Sequence, residues 1–427
     1  MEHYQLAVCG CGPASLSPLL YMEENGQLDE LLRLGICVID ESNDIGSGNI
    51  GKYHITSNSL GKVFTEIFTN ADSPLYAYLK QKDSMKQLDN YLETAAPLTL
   101  VGELMNDIGR FLGMRIKKSR TSDLLTSSRV TKIRLLQDKQ FEVTIQSLHN
   151  PHAIRIITAK HVLFNVGGMQ HIPDQFPIEA REDQEIWLSD PFLREMYDER
   201  FIERLSVGRP IRIMIVGASH SAFSSLNRLQ NRFNLLNHSH CHIDIMTRKP
   251  IRLFYRSVED ALEDKYDFDP VQDVCPLSRR VNRFAGLRYD SFKLAKAVIA
   301  NRFQNVSLQV ADKDFSVMSK NQYIRSDIVL ICTGYHNKAP QIVDEQDEPL
   351  EFEKTKQGTI YTDDNYCPVT KEGRTIHHLY TYGLGTGVRS CVENGGEPSF
   401  QAQVHGIWFY QHIIAPRVSS SILERKI

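Results

Sequence analysis

The chain has 427 residues, which is enough for two or three domains with ample buried core. Charged residues make up 24% of the chain and the formal net charge is −3, so no basic excess indicates a nucleic-acid partner. No apolar run is long enough to span a bilayer and no N-terminal signal is visible, so we expect a cytoplasmic protein without a membrane partner.

The first predicted element is a strand that ends in a glycine turn and continues into an apolar helix, within residues 4–20. The turn reads G-x-G-x-x-S. Gly10 permits the tight turn, Gly12 lets the backbone approach a pyrophosphate, and the small Ser15 lets the helix pack on the strand. The first N–H groups of the helix would face the anion. The alternative is a glycine turn that only joins a strand to a helix.

The next predicted strand, residues 35–40, ends in an acid. A carboxylate at this point of the fingerprint binds the ribose of a dinucleotide. The residues predicted to contact this first nucleotide are Gly10, Gly12, Pro13, Ala14, Ser15, Asp40 and Glu41.

The middle of the chain alternates between strand and helix patterns. Residues 129–147 alternate apolar and polar side chains, which predicts antiparallel strands, and residues 154–168 predict a further pair that ends in a glycine step. Residues 181–206 have a charged, helix-like pattern, and residues 259–300 are expected to be mostly helical.

A second strand, small-residue turn and helix begins at residue 211. Gly217 opens this turn, and Ser219 stands where a second glycine is expected. The following strand runs into Arg248 and Lys249 instead of an acid. An arginine there accommodates a 2′-phosphate, so the sequence favours NADPH over NADH. The alternative is a solvated charge pair at the end of a strand.

The cysteines and histidines do not predict a metal site. Eight cysteines are scattered along the chain without a C-x-x-C pair, which argues against a redox-active disulfide and a structural zinc site. Three histidines alternate within residues 238–242, but no acidic or cysteine ligand lies at suitable spacing. We therefore predict no metal.

The order of these features resembles the two-dinucleotide-domain flavoproteins. The chain is most similar to the FAD- and NADPH-dependent monooxygenases that include the lysine and ornithine N-hydroxylases. Residues 331–335, Ile-Cys-Thr-Gly-Tyr, resemble the A-T-G-Y step of that class, with Cys replacing Ala. Residues 217–222 resemble the NADPH-binding turn of the N-hydroxylases. The cofactor contacts that these matches imply are His220, Ser221, Thr333, Gly334 and Tyr335.

Residues 52–59 resemble a Tyr…Thr-Asn segment of flavin monooxygenases. The resemblance implies a catalytic role for Asn58, because an amide can donate to the flavin or the bound oxygen, and accept from the nicotinamide, without bringing a charge. The alternative is an Asn that caps a helix starting near Leu60.

The C-terminal segment resembles the second flavin-contacting part of this fold, around Gly383. No Asp follows Gly383, although such flavoproteins often carry a Gly-Asp pair there. Ser399 and Phe400 are predicted to open a helix whose N–H groups approach the flavin. The F-x-G-x-x-x-H-x-x-x-Y/F signature of Baeyer–Villiger monooxygenases is missing, which argues against ketone oxygenation.

The sequence therefore predicts an α/β protein with two Rossmann-like dinucleotide-binding domains, the NADPH domain inserted into the FAD domain. The predicted limits are 1–207 and 326–427 for the FAD domain and 208–325 for the NADPH domain. The expected reaction is insertion of oxygen from O₂ into a small molecule, such as N-hydroxylation of an amine. The alternatives are an NAD(P)H-dependent flavin oxidoreductase or oxidase without oxygen insertion, and a flavin-binding regulatory protein. A homo-oligomer is compatible with the sequence.

Overall fold

The computed structural model describes residues 2–173, 183–310, 322–355, 358–389 and 394–424. The strands are β1 (Glu2–Cys9), β2 (Ile36–Ile39), β3 (Thr56–Leu60), β4 (Ala95–Pro97), β5 (Asp123–Leu125), β6 (Ser128–Leu135), β7 (Phe141–Ser147), β8 (Ile154–Phe164), β9 (Gly168–Met169), β10 (Glu185–Leu188), β11 (Ile211–Val216), β12 (Cys241–Thr247), β13 (Val306–Val310), β14 (Ile328–Ile331), β15 (His336–Asn337), β16 (Gln341–Val343), β17 (Leu379–Tyr380), β18 (Val388–Arg389) and β19 (Gln403–Val404).

The helices follow the same chain order. They are α1 (Pro13–Glu24), α2 (Leu28–Leu34), α3 (Pro74–Leu79), α4 (Asp83–Leu88), α5 (Leu98–Lys118), α6 (Ser189–Leu193), α7 (Asp198–Ser206), α8 (His220–Phe233), α9 (Val258–Glu263), α10 (Tyr289–Ile299), α11 (Ile407–Phe409) and α12 (Ala415–Ile422). Short 3₁₀ turns cover Ile50–Lys52, Gly61–Phe64 and Asp89–Tyr91, and a π-helical turn, Tyr410–Ile414, joins α11 to α12.

The first sheet has eight strands in the order β16-β6-β7-β8-β1-β2-β5, with β17 also paired to β8. Strands β5, β2, β1 and β8 are parallel, whereas β6, β7 and β8 pair antiparallel. The predicted antiparallel strands within residues 129–147 are thereby confirmed. Because β1 lies between β2 and β8, its carboxyl end opens into the crevice where α/β sheets bind ligands.

The second sheet has five parallel strands in the order β10-β14-β11-β12-β13. Its central strands β14 and β11 are buried except at Arg212, as expected for a parallel sheet covered by helices on both faces. The predicted α/β class with two Rossmann-like units is confirmed. The domain limits remain a prediction. Strands β10 and β14 lie outside residues 208–325 in the sequence, and they also pair in the second sheet.

Two sequence-based predictions of helix are wrong. The pattern in residues 181–206 includes strand β10, whose buried Trp187 packs beside β14 in the second sheet. Residues 259–300 contain only the short α9 and the longer α10. The chain between them forms turns and isolated bridges, such as Val274 with Val281. Prolines and clustered aspartates in this stretch favour turns over helix.

A buried histidine in the first sheet makes the fold sensitive to acid. His161 is fully buried on β8, and its Nδ1 lies 3.2 Å from the hydroxyl oxygen of Tyr380. Its Nε2 has no hydrogen-bond partner among the described residues. Burial, together with the neighbouring His378, lowers the pKa of His161 from 6.5 to about 3. The folded protein therefore holds this imidazole neutral.

We expect the substitution His161→Gln to reduce the loss of stability in acid. Between the two pKa values the unfolded chain binds a proton at His161 that the folded protein does not, so stability falls as the pH falls below 6.5. At about pH 5 this difference is about 2 kcal/mol. Urea unfolding at neutral pH and at about pH 5 measures it, with exposed His152→Gln as the control. If His161→Gln and His152→Gln lose the same stability between neutral pH and about pH 5, His161 is not the source of the acid sensitivity.

Candidate functional site

The first glycine turn has the geometry of a phosphate cradle. Gly10 has a φ of +80°, and a Cβ there would lie 2.8 Å from the carbonyl oxygen of Asn165. Gly12 is the N-cap of α1 and offers no capping side chain, so the N–H groups of the first helical turn remain available to an anion. Pro13 and Ala14 begin the helix. The geometry fits a dinucleotide pyrophosphate.

Asn165, which the sequence did not single out, connects the first turn to the C-terminal segment. Its Nδ2 donates to the Oγ of Ser15 at 3.2 Å. Its Oδ1 accepts the N–H groups of Tyr382 at 2.9 Å and Gly383 at 2.8 Å. The predicted residues Ser15 and Gly383 are therefore neighbours of one buried amide.

The two acids after β2 differ in their surroundings. Asp40 is buried at the strand end, and its two carboxylate oxygens accept the N–H groups of Cys11 at 2.7 Å and Ser42 at 2.8 Å. Glu41 forms ion pairs with Arg129 at 2.7 Å and Lys338 at 3.0 Å. Asp40 thus lies beside the glycine turn, where a ribose contact is predicted, whereas Glu41 points to surface cations.

The second glycine turn repeats this geometry. Gly217 has a φ of +113°, and a Cβ there would lie 2.6 Å from the carbonyl oxygen of Cys332. Cys332 directly precedes Thr333, so the Thr-Gly-Tyr step lies against this turn. Helix α8 begins at His220, and its exposed N-cap Ser219 makes no side-chain cap. Burial and the charge of Arg288 lower the pKa of His220 to about 4, so its ring is neutral near pH 7.

Arg248 follows β12 directly and is exposed, as is Lys249. Arg248 fits the predicted contact with a 2′-phosphate.

The substitution Arg248→Ser is expected to weaken NADPH binding about 10- to 100-fold and to leave NADH binding unchanged, because it removes a charge-assisted contact to the 2′-phosphate. Isothermal titration with both nucleotides measures the change, and Lys249→Ser is the matched control. If the two variants lose the same affinity for both nucleotides, Arg248 belongs to a solvated charge pair.

A cleft between the segment before α5 and the helices α8 and α10 brings several predicted residues together. This inner cleft has a volume of about 300 Å³, and its lining includes Tyr53, Thr56, Asn58, His220, Ser221 and Tyr335. Asn58 and Tyr53 come from the segment before α5, whereas His220 and Ser221 come from the first turn of α8. The residues predicted to serve the flavin thus face those predicted to serve the nicotinamide nucleotide.

Two tyrosines in the inner cleft share one carboxylate. The hydroxyl of Tyr53 donates to Oδ1 of Asp190, and the hydroxyl of Tyr335 lies 3.3 Å from the same oxygen. Arg194 pairs with the other carboxylate oxygen at 3.2 Å. Burial, together with these neighbours, raises the pKa of both tyrosines above the usual range. Both phenols therefore remain neutral hydrogen-bond donors.

The structure excludes the alternative that Asn58 caps a helix, and the prediction that Ser399 and Phe400 open a helix is wrong. Asn58 does not cap a helix, because it is an exposed residue inside β3, and the 3₁₀ turn after this strand has no side-chain cap. Ser399 and Phe400 do not open a helix either, because β19 follows them and α11 begins at Ile407. The Oγ of Ser399 instead donates to Asp273 at 2.6 Å, which ties the C-terminal segment to the chain between α9 and α10.

Phe400 also contacts that stretch, since its ring centroid lies 5.6 Å from that of Phe284. The carboxylate of Glu397 accepts the N–H groups of Phe284 at 3.1 Å and Ala285 at 2.8 Å. These contacts hold the C-terminal segment against the residues that lead into α10.

Sequence reasoning missed Arg288 and Asp290, which line the inner cleft, and Asp190, which accepts a hydrogen bond from the lining residue Tyr53. An Asp-Pro pair at residues 190–191 and the Arg-Tyr-Asp run at the start of α10 were the only local signals. Both lie in stretches predicted to be helical. Among the described residues, no group of histidine, cysteine, aspartate and glutamate is arranged to hold a metal ion.

Comparisons with known proteins extend over the whole chain. No protein-family model matches it. The CMP-5′-(3-aminopropyl)phosphonate hydroxylase of Streptomyces rubellomurinus is 26% identical over 439 residues, which cover 99% of this chain and 98% of the relative.

Solved structures with the same fold include two amine hydroxylases. The ornithine N-hydroxylase of Kutzneria sp. 744, solved with reduced FAD, NADP⁺ and L-ornithine, matches with a TM-score of 0.60 at 14% identity, and the match covers 100% of both chains. The FAD-bound cadaverine monooxygenase of Erwinia amylovora matches with a TM-score of 0.62 at 12% identity over 100% of this chain and 95% of that one. The resemblance predicted from the sequence is confirmed at the level of the fold.

Proposed function

We propose that this chain, which has the fold of the two-dinucleotide-domain flavoprotein monooxygenases, is an FAD- and NADPH-dependent enzyme that N-hydroxylates a primary amine of a small molecule. In the overall reaction R–NH₂, O₂, NADPH and one proton give R–NHOH, water and NADP⁺. One oxygen atom enters the new N–O bond and the other leaves as water. NADPH supplies the two electrons that balance the reaction.

The observation that carries this proposal is the meeting of the two nucleotide units at the inner cleft. Asn58 approaches the cleft from the flavin side, Tyr335 approaches it from the end of β14, and His220 and Ser221 approach it from the first turn of α8. A reductant and an oxygen-activating cofactor must meet in one water-poor space, and this cleft lies between their predicted sites.

The residues proposed to hold FAD surround the first glycine turn: Gly10, Gly12, Pro13, Ala14, Ser15, Asp40, Glu41 and Gly383. The Thr333-Gly334-Tyr335 step is proposed to contact the cofactors where the two units meet. Those proposed to hold NADPH surround the second turn: Gly217, Ser219, His220, Ser221 and Arg248. FAD, once reduced by NADPH, supplies the activation of O₂. Ser399 and Phe400 remain predicted contacts, and they would act from a loop instead of a helix start.

Four uncharged side chains of the inner cleft, Tyr53, Asn58, His220 and Tyr335, are suited to orient reactants without adding charge. Asn58 offers an amide that both donates and accepts, so it can orient the nicotinamide amide or the bound oxygen. The hydroxyls of Tyr53 and Tyr335 are fixed by Asp190, to which Tyr53 donates and from which Tyr335 lies 3.3 Å away, so their neutral oxygens offer hydrogen-bond acceptors from fixed positions. The neutral His220 adds no cation that would repel a protonated amine.

The space next to the inner cleft supports a substrate larger than a free amino acid. An outer groove of about 420 Å³ shares Thr56, Ser224 and Asp290 with the inner cleft and continues to Asn227 and Asn231. The Streptomyces relative is a hydroxylase of a cytidylyl aminoalkylphosphonate, by its name. We propose that the reacting amine enters the inner cleft while a polar remainder of the substrate lies in the outer groove.

The predicted domain limits, a homo-oligomeric assembly and a cytoplasmic location also belong to this proposal. All seven described cysteines are unpaired, which suits a reducing compartment. No helix among the described residues combines the length and apolar character needed to cross a bilayer.

The test is to incubate the FAD-loaded protein with NADPH, isotopically labelled O₂ and a panel of amines. The panel contains 3-aminopropylphosphonate and its cytidylyl conjugate, ornithine, lysine and cadaverine. We expect mass spectrometry to find one labelled oxygen atom on the nitrogen of at least one of them. NADPH oxidation that yields only labelled peroxide would favour an oxidoreductase without oxygen insertion. A protein that binds flavin and never oxidises NADPH would favour a regulatory role.

A further inference from the structure

Two opposite charges line the inner cleft without forming an ion pair. Arg288 is the N-cap of α10 and Asp290 lies in its first turn, so only one residue separates them. No nitrogen of Arg288 lies within 4 Å of a carboxylate oxygen of the described residues, and Asp290 has no cation that close. Both residues are half-buried, and a partly desolvated charge without an opposite partner is suited to an opposite charge on a ligand.

The guanidinium of Arg288 is held in place by uncharged partners. It lies over the ring of Phe254, 4.1 Å from the centroid, and it donates to the carbonyl oxygen of Arg283. Burial, together with the cations of Arg280 and Arg283, lowers the pKa of Arg288 to about 10, so the group is still charged near pH 7. An anionic ligand would relieve the unfavourable burial of this charge.

Asp290 faces the other half of the cleft. Its Oδ2 accepts the hydroxyl of Thr56 at 2.8 Å, which fixes the carboxylate against β3, the strand that carries Asn58. Its Oδ1 has no hydrogen-bond partner among the described residues. Asp290 also lines the outer groove, so its carboxylate lies where the two spaces join.

The backbone between the two charges is strained. Tyr289 has a φ of +49°, a conformation that is uncommon for a bulky side chain and that costs free energy. This residue turns the chain between Arg288 and Asp290. The strained turn allows two side chains so close in sequence to lie in one cleft without pairing with each other.

We propose that Arg288 and Asp290 are the two charged substrate contacts of this site, so that its substrate carries both an amine and an anionic oxyacid group. Asp290 holds the amine beside Asn58, and Arg288 binds the anion through its planar fork of N–H groups. This inference rests on the proposed function for the identity of the amine as the reacting group. The substrate class itself is inferred from the charges of Arg288 and Asp290.

The test measures binding to the FAD-loaded protein with oxidised flavin and without NADPH, so it does not depend on turnover. The probes are 3-aminopropylphosphonate, 4-aminobutanoate, propylamine and propylphosphonate, titrated by calorimetry. We expect both two-charged probes to bind roughly 10- to 100-fold more tightly than either single-charged probe, because each buried charge-assisted contact is lost separately. The ratio between the first two probes distinguishes a phosphonate site from a carboxylate site.

Two variants then assign each charge. Arg288→Gln should bind 3-aminopropylphosphonate about as weakly as the unaltered protein binds propylamine, and its affinity for propylamine should not change. Asp290→Asn should lose the discrimination between 3-aminopropylphosphonate and propylphosphonate. Exposed Arg302→Gln and Asp267→Asn are the matched controls. A purely structural defect would weaken all probes together and would not follow this pattern.

Three results would overturn the inference. Equal binding of one-charged and two-charged probes would remove the need for two contacts. Unchanged discrimination in both variants would exclude these residues. A loss of NADP⁺ affinity in Arg288→Gln, with unchanged affinity for the aminophosphonate, would assign this arginine to the cofactor. If amines are hydroxylated but the variants discriminate normally, the inference fails and the proposed function stands. If the binding pattern holds but no amine is hydroxylated, the inference stands and the proposed function fails.

Discussion

Replacing Gly10 by Ala is expected to give a protein that unfolds more easily and retains little FAD. The added Cβ would lie 2.8 Å from the carbonyl oxygen of Asn165, and the φ of +80° disfavours any L side chain. The strained backbone and the overpacking together are expected to cost about 3 kcal/mol of the free energy of unfolding. The shifted turn would also separate Ser15 and Gly383 from Asn165. Urea unfolding and the ratio of flavin to protein absorbance measure both effects.

Gly26→Ala is the matched control for that substitution. Gly26 has a φ of +67°, also in the left-handed region, but a Cβ there meets no atom within 4 Å. It should therefore lose only about 1 kcal/mol and keep its FAD. Equal FAD content and equal stability in the two variants would mean that the first glycine turn does not cradle the cofactor.

Replacing Gly217 by Ala is expected to leave FAD bound and to slow reduction of the flavin by NADPH on the order of 100-fold, because small displacements of a reacting group have effects of that size. The Cβ would lie 2.6 Å from the carbonyl oxygen of Cys332, at a φ of +113°. The second turn and the Thr-Gly-Tyr step that follows Cys332 would have to separate. Anaerobic stopped-flow reduction measures the rate.

Gly208→Ala supplies the comparison, since Gly208 has a φ of +72° and open space around its Cβ position. Its reduction rate should equal that of the unaltered protein. If Gly217→Ala reduces the flavin at the same rate as Gly208→Ala, NADPH does not bind at the second turn. If Gly217→Ala loses FAD instead, the two turns are not separate nucleotide sites.

The features that could be predicted from the sequence are those encoded by neighbouring residues. Each glycine turn is specified within a strand and the helix that follows it, and the structure places Gly10 and Gly217 where a side chain would collide with backbone. The pairing within residues 129–147 follows from strict alternation. Local chemistry is sufficient in these places because the phosphate cradle is made of backbone.

The rest of the site depends on contacts between distant parts of the chain. Asn165 joins the first turn to Gly383 across more than two hundred residues, and Asp190 joins Tyr53 to Tyr335. Hydrophobic periodicity in the sequence does not predict such contacts, because each of them depends on a single amide or carboxylate. Only the three-dimensional structure shows that the residues joined by Asn165 and Asp190 lie close together.

Arg288 and Asp290 were missed for a different reason. Their stretch, residues 259–300, was predicted to be mostly helical, whereas turns and isolated bridges precede α10. Helix α10 begins at Tyr289, which has a positive φ. Helix propensity does not predict such a conformation for a non-glycine residue. The same limit applies to Ser399 and Phe400, which tertiary contacts hold in a loop.

The most direct test of amine N-hydroxylation is the stoichiometry of a single reaction mixture of FAD-loaded protein, NADPH, oxygenated buffer and the amine that binds best. NADPH consumed, hydroxylamine formed and hydrogen peroxide released are measured together. The proposed function predicts nearly one hydroxylamine for each NADPH and little peroxide, and a rate that rises when the amine is added. Peroxide equal to NADPH consumed, with no hydroxylamine from any amine of the panel, would contradict it.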